Sequence, residues 1–219
     1  MSNTGCAYCG ACDVPLEREH VVPACLYPPS KANSKVQRLT VPACRSCNNG
    51  WSDDEAHFRT VLVLAGDPPN APRHELWQEK VVPSFDEPDA RRRLDDIISI
   101  MKTLPVDGEE RQKIYPADDP RVLRVIKKIV RGLSHYHRLG SPIGDAEVWA
   151  DILRYQVPSE ALSRMAHHHR EADIVEYAFE APSAEGVRSS WLLTFFQQVT
   201  FVGMVLEGAN HGKSPDRGA

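Results

Sequence analysis

Two pairs of cysteines constrain this chain more than any other feature. Cys6-Ala7-Tyr8-Cys9 and Cys44-Arg45-Ser46-Cys47 are both C-x-x-C. Such a turn aims two sulfurs at one point, and two turns together supply the tetrahedral thiolate set that Zn2+ favours in structural sites. In a reducing compartment these pairs hold metal more often than they form disulfides. The opening Met1-Ser2-Asn3-Thr4-Gly5-Cys6 has neither the basic start nor the apolar stretch of a secretory signal, and no apolar run is long enough for a membrane span. The expectation is a cytoplasmic protein with no membrane partner. Cys9-Gly10-Ala11-Cys12 is a competing C-x-x-C. Gly10 directly after Cys9 favours the Cys6 and Cys9 choice, because a tight knuckle turn often needs positive φ there. Cys12 and Cys25 are then read as small buried thiols. A closed shell of Cys6, Cys9, Cys44 and Cys47 leaves no position for water, so this metal would be structural. In so short a segment its binding would supply much of the folding free energy.

Between the pairs lies Glu19-His20-Val21-Val22-Pro23, followed by the strand-like Arg38-Leu39-Thr40-Val41-Pro42. Cys44-Arg45-Ser46-Cys47-Asn48-Asn49 then leads into Ser52-Asp53-Asp54-Glu55, a capping-box pattern that opens a helix through Phe58, Val61, Leu62 and Ala65. Gly66 and Pro68-Pro69 end it. Hydrolysis of a phosphodiester needs a base for water and a cation for the charge that develops on phosphate. A neutral imidazole near pH 7 suits the first task. A carboxylate and an amide oxygen are hard ligands that suit Mg2+ or Mn2+. His20, Glu19 and Asn48 are those groups. Neighbours on a strand point to opposite faces, so Glu19 and His20 share one site only near a strand end or distortion.

In order, spacing and residue type, these motifs resemble the HNH endonucleases, a family of ββα-metal nucleases, in its zinc-bearing form. The resemblance covers about the first third of the chain. It implies a β-hairpin packed on one helix, with a Mg2+-like ion at their junction. His20 then matches the general base, Glu19 the acidic metal ligand, Asn48 the third motif residue, and the four cysteines the structural zinc site. Where the family carries its middle Asn this chain has Leu39 and Thr40, with Thr40 standing in through the loop backbone. Trp51 replaces a Lys or acidic residue. Asp54, Glu55 and His57 are near enough in sequence to be auxiliary ligands, although His57 reads better as a packing or surface side chain. The implied activity is metal-dependent endonucleolytic hydrolysis of DNA in a bacterial or phage setting, and cutting both strands with one site per chain would suit a homodimer. The alternative is a zinc-stabilised nucleic-acid-binding protein that does not cleave.

The expected fold class is α+β: a zinc-stapled ββα-metal domain over residues 1–66, a linker with short helices and a hairpin over 67–118, a mixed helix and antiparallel-sheet domain over 119–207, and a tail over 208–219. Prolines at 68, 69, 72, 83 and 88 mark the linker. A hairpin is expected between Ile97 and Tyr115, turning at Val106-Asp107-Gly108. The helix over 119–138 has Val122, Leu123, Val125, Ile126, Ile129, Val130, Leu133 and Tyr136 on one side. A further helix is expected over 159–170, and strands near 174–179, 191–196 and 200–206. His167-His168-His169 reads as the solvated end of that helix, because consecutive helical residues diverge by about 100°. Trp191, Phe195 and Phe196 read as core.

Formal net charge is −4, which does not advertise a nucleic-acid binder. The charge is uneven, however. From Pro120 to Gly140 there are Arg121, Arg124, Lys127, Lys128, Arg131 and Arg138, and no acid. Beside a nuclease motif, Arg121, Arg124, Lys128, Arg131 and Arg138 are candidate phosphate contacts. The acidic remainder of this chain, or of a second copy, is the competing partner.

Overall fold

The computed structural model describes residues 5–32, 34, 36–65, 70–86, 88–106, 109–114, 116, 118–171, 173–182 and 184–207. It is mixed α+β with antiparallel sheets, as expected. The first section is a two-stranded hairpin, β1 (Leu16–His20) against β2 (Thr40–Cys44), followed by a five-residue helix α1 (Arg45–Asn49) and the longer α2 (Ser52–Leu64). Cys44 ends β2 and Cys47 lies on α1, so the second knuckle is the hairpin's exit.

The capping box at Ser52 is not made. Trp51 holds the cap position, Ser52 Oγ donates to Asn49 O at 3.4 Å, and the Glu55 side chain is committed to Lys128. Gly66 and Pro68-Pro69 fall outside the described residues. The proline-rich stretch is more helical than a linker, with α3 (Ala71–Leu76) running into a π-helical turn (Trp77–Val81), and α4 (Ala90–Ile100) beyond. Asn70 caps α3 by accepting from Arg73 N at 3.0 Å, and Pro72 sits in the first turn, where no amide hydrogen is needed. The hairpin of β3 (Lys102–Val106) and β4 (Glu109–Ile114) forms, but starts later than expected because 97–100 belong to α4. Its turn residues, 107 and 108, lie outside the described residues, as does the expected tail over 208–219.

Helix α5 (Pro120–Tyr136) is the centre of the molecule. Asp119 accepts from Arg121 N at 2.8 Å as the N-cap, and Pro120 occupies the first position. Its apolar side packs on a five-stranded antiparallel sheet in the order β5-β9-β8-β7-β6: β5 (Val148–Ile152), β6 (Ala166–Glu171), β7 (Val175–Glu180), β8 (Val187–Phe195) and β9 (Val199–Leu206). Gly203 admits the helix to the sheet, since a Cβ there would lie 2.6 Å from Val130 Cγ2. Trp191, Phe195 and Phe196 are core, as expected.

Two sequence expectations fail in this region. The strand β5 was not foreseen, and the helix over 159–170 is only α6 (Ser159–Arg164). His167-His168-His169 belong to edge strand β6 instead of a helix end. His167 and His169 share a face with rings stacked at 6.1 Å, while His168 stacks on Tyr177 at 4.9 Å from the other face.

One apolar core joins the cysteine section, α2, α3, α5 and the five-stranded sheet. It includes Tyr8 and Val21 from the cysteine section, Phe58 from α2, Ile129 from α5 and Phe195 and Phe201 from the sheet. Phe58 meets Phe195 edge-on at 5.2 Å. No helix among the described residues is long and apolar enough to cross a membrane.

Candidate metal centre and flanking groove

The sulfurs of Cys6, Cys9, Cys44 and Cys47 lie within 4.8 Å of one another, close enough to ligate one metal ion. The first knuckle closes by Gly10 N donating to Cys6 O at 2.8 Å, and Gly10 takes φ +76°, the left-handed conformation expected of it. Cys9 and Cys44 sulfurs stand 3.7 Å apart. Burial opposes ionisation of the Cys6 thiol, but backbone donors of Cys44, Cys9 and Tyr8 overcome it and bring the pKa down to about 6. A thiol prepared as thiolate suits a metal ligand. Cys12 is outside the cluster, exposed, with its sulfur 3.2 Å from Gly10 O. It is therefore not the buried thiol expected. Cys25 sits half-buried against Glu55 O, and burial pushes its pKa up to about 11.

Glu19 and His20 close β1, paired with Val41 and Thr40. The alternation of the strand holds to its end, and the two side chains go to different surroundings. Glu19 is 8% exposed and accepts from Lys128 Nζ. Lys128 is 0% exposed, also reaches Glu55 Oε1 at 2.5 Å, and donates to His20 O at 3.1 Å. Burial raises the Glu19 carboxyl above the ordinary carboxylate value, while Lys128 draws it back and Glu55 raises it further. Asn48, on α1, donates from Nδ2 to Glu17 Oε2 at 2.6 Å. Asn48 thus meets the strand that carries Glu19 and His20, at Glu17, while the Glu19 carboxylate turns to Lys128. Among the described residues, the four cysteines are the only group of three or more His, Cys, Asp or Glu side chains close enough to share an ion.

The auxiliary candidates are also in use. Asp54 pairs with Arg124 at 2.8 Å, Glu55 with Lys128, and His57 Nε2 meets Asp119 Oδ2 at 3.2 Å. Thr40 Oγ1 lies 3.4 Å from Arg18 Nε, a side-chain partner and not the loop backbone expected. Trp51 is buried, tilted against Tyr8 at 6.3 Å, with the Arg124 guanidinium 4.9 Å above its ring.

His20 faces an open groove of about 440 Å3 together with Arg18, Arg38 and Thr40. Its Nδ1 is buried with no hydrogen-bond partner among the described residues. Burial lowers the His20 pKa, and the cations Arg38, Lys128 and Arg18 lower it further. A neutral imidazole beside fixed positive charge is an arrangement that accepts a proton near an anion.

The five candidate phosphate contacts of the 121–138 segment are placed as follows. Lys128 is buried between two carboxylates. Arg131, 7% exposed, donates to Ile143 O and Tyr8 O, each at 2.7 Å. Neither reaches a polymer outside. Arg121 is tied to Asp119 at 3.0 Å and Arg124 to Asp54, while Arg138 is exposed beyond the helix with φ +60°. The acidic remainder of the same chain is the partner of this face, because folding brings Asp54, Glu55, Glu19 and Asp145 to it.

No family model, no curated protein and no solved structure matches this chain.

Proposed function

We propose that the chain is a nuclease of the HNH type, with Zn2+ on Cys6, Cys9, Cys44 and Cys47 as a structural ion and His20 as the general base. The observation that carries the reading is His20 itself, an imidazole with a buried unpartnered nitrogen in a groove walled by Arg18 and Arg38. Four clustered thiolates fit a tetrahedral zinc, and the ion would tie the first knuckle to the end of β2 and to α1. In the groove, the neutral ring would take a proton from water as the oxygen attacks phosphorus, and the P–O bond to the sugar oxygen opposite would break, that oxygen taking a proton from solvent. The guanidinium groups would offset charge on the phosphate oxygens.

The resemblance also implies a catalytic Mg2+ or Mn2+ ion on Glu19 and Asn48. Those residues do not fit it as they stand, because Lys128 places its ammonium on Glu19 Oε1 and, among the described residues, Glu19 belongs to no cluster of three His, Cys, Asp or Glu side chains. DNA is the polymer that the resemblance favours. The second reading, a zinc-held nucleic-acid-binding protein without cleavage, is favoured by the same Lys128 contact, since a buried ammonium on Glu19 Oε1 repels a cation from that carboxylate.

Incubation of supercoiled plasmid with the purified zinc-loaded chain, without added divalent metal or with Mg2+ or Mn2+, separates the two. Nicking that disappears in His20→Ala supports the nuclease. Binding without cleavage in all three conditions selects the second reading.

A further inference from the structure

The groove at His20 does not end at Arg38. A second open groove of about 420 Å3, lined by Cys25, Tyr27, Arg38, Arg59 and Lys80 among others, shares Ala32 and Arg38 with the first. Among the described residues, four cations, Arg18, Arg38, Arg59 and Lys80, line the combined surface, and no carboxylate is in either lining. None of the four forms an ion pair with a described carboxylate. Arg18 meets Thr40, and Arg38 donates to Lys31 O at 3.0 Å with its guanidinium 4.0 Å above the Tyr27 ring. Arg59 Nε is buried with no partner in the protein. Helix α5 is the contrast, since Arg121, Arg124, Lys127, Lys128 and Arg131 there each answer a carboxylate.

Four uncompensated cations along one concavity repel one another unless an anion offsets them. The wall is also held in place. Glu75 accepts from Ser30 N at 2.7 Å and from Ser30 Oγ at 2.5 Å, and Lys31 pairs with Asp173 at 2.8 Å. Both anchors hold the turn at Ser30 and Lys31, and the Lys31 carbonyl in turn accepts from Arg38.

We propose that the two grooves form one track for the sugar–phosphate backbone of a nucleic acid, running from Arg59 and Lys80 past Arg38 to His20. The proposal rests on the reading of His20 as a nuclease base, and it names the face on which the polymer lies. It moves the phosphate contacts from α5, where the sequence suggested them, to β1, the loop before β2, α2 and the π-helical turn.

The test is binding of a short labelled DNA duplex to the full zinc-loaded chain without added Mg2+ or Mn2+, followed by fluorescence anisotropy across a salt series. Lys80→Ala and Arg59→Ala should each weaken binding several-fold and reduce the slope of log affinity against log salt by about one. Arg59→Lys should restore most of the affinity, which a folding defect would not allow, while Arg124→Ala should match the parent. Parent-like binding by both Lys80→Ala and Arg59→Ala overturns the track, as does an equal loss in Arg124→Ala, or a parent chain that does not bind. A sulfated polysaccharide that binds as tightly as the duplex at equal charge also overturns it, by making the surface a general polyanion site. Failure of the nuclease reading looks different: binding remains dependent on Lys80 and Arg59, but plasmid stays intact.

Discussion

Lys128 of α5 and Glu55 of α2 meet at 2.5 Å across 73 residues of sequence, inside the protein and beside a second carboxylate, Glu19. A buried ammonium is tolerated only when its charge is answered, and two carboxylates and a carbonyl answer this one.

Removing that ammonium leaves Glu19 and Glu55 facing each other. Lys128→Met is expected to cost about 3–5 kcal/mol, the range for breaking one side of a buried pair. Urea unfolding measures it. Adding Glu19→Gln and Glu55→Gln to Lys128→Met should recover a large part, because the stranded charges are then gone.

Metal removal should unfold more than the knuckles. One zinc per chain is expected by elemental analysis, with loss in Cys44→Ser and no loss in Cys12→Ser, whose sulfur stands outside the cluster. Circular dichroism after chelation should fall along with zinc content. A chain that keeps its far-ultraviolet signal and melting point without metal would sink this expectation.

His20 should titrate below the ordinary value of 6.5, since burial and then Arg38, Lys128 and Arg18 disfavour its charged form. The neutral ring is the form that accepts a proton, so base catalysis should persist on acidification past 6.5 and fail only lower. Arg38→Gln removes one opposing cation and should move the midpoint up. The His20 ring signal in a proton NMR titration reads this whether or not the chain cleaves anything.

Gly132, mid-helix in α5, is where the helix touches the cysteine section. A Cβ there would lie 2.9 Å from Tyr8 Oη and 3.0 Å from Val21 Cγ1. Alanine is about 1 kcal/mol better than glycine in a helix interior. Overpacking typically costs about 1–3 kcal/mol, so Gly132→Ala should be neutral to destabilising despite the helical gain. A higher melting point in Gly132→Ala would show that Tyr8 moves aside freely.

What the sequence made legible was local chemistry. The C-x-x-C spacings, the positive φ of Gly10 and the Asp119-Pro120 start of α5 each depend on residues a few positions apart. What it hid depends on distant partners. Lys128 and Arg131 look like part of a solvated basic stripe, because Glu19 is 109 residues from Lys128 and nothing nearby suggests burial. A helix covered by a sheet on one side and by the cysteine section on another has little face left for solvent. His167-His168-His169 carry no apolar alternation, so a helix end and an edge strand look alike in sequence. Part of the groove was readable, since Arg18 and His20 are two apart on one strand and share a face. Arg59 and Lys80 join them only once the chain is folded.

The Phe58 ring wedged against Phe195 and Phe201 has a consequence for anyone who would treat the opening third as a portable module. Excised after residue 66, that piece would present Phe58, Tyr8, Val21 and an unanswered Glu19 to water. It would clump or melt where the intact polypeptide does not, so any transplant has to carry α5 and the sheet with it.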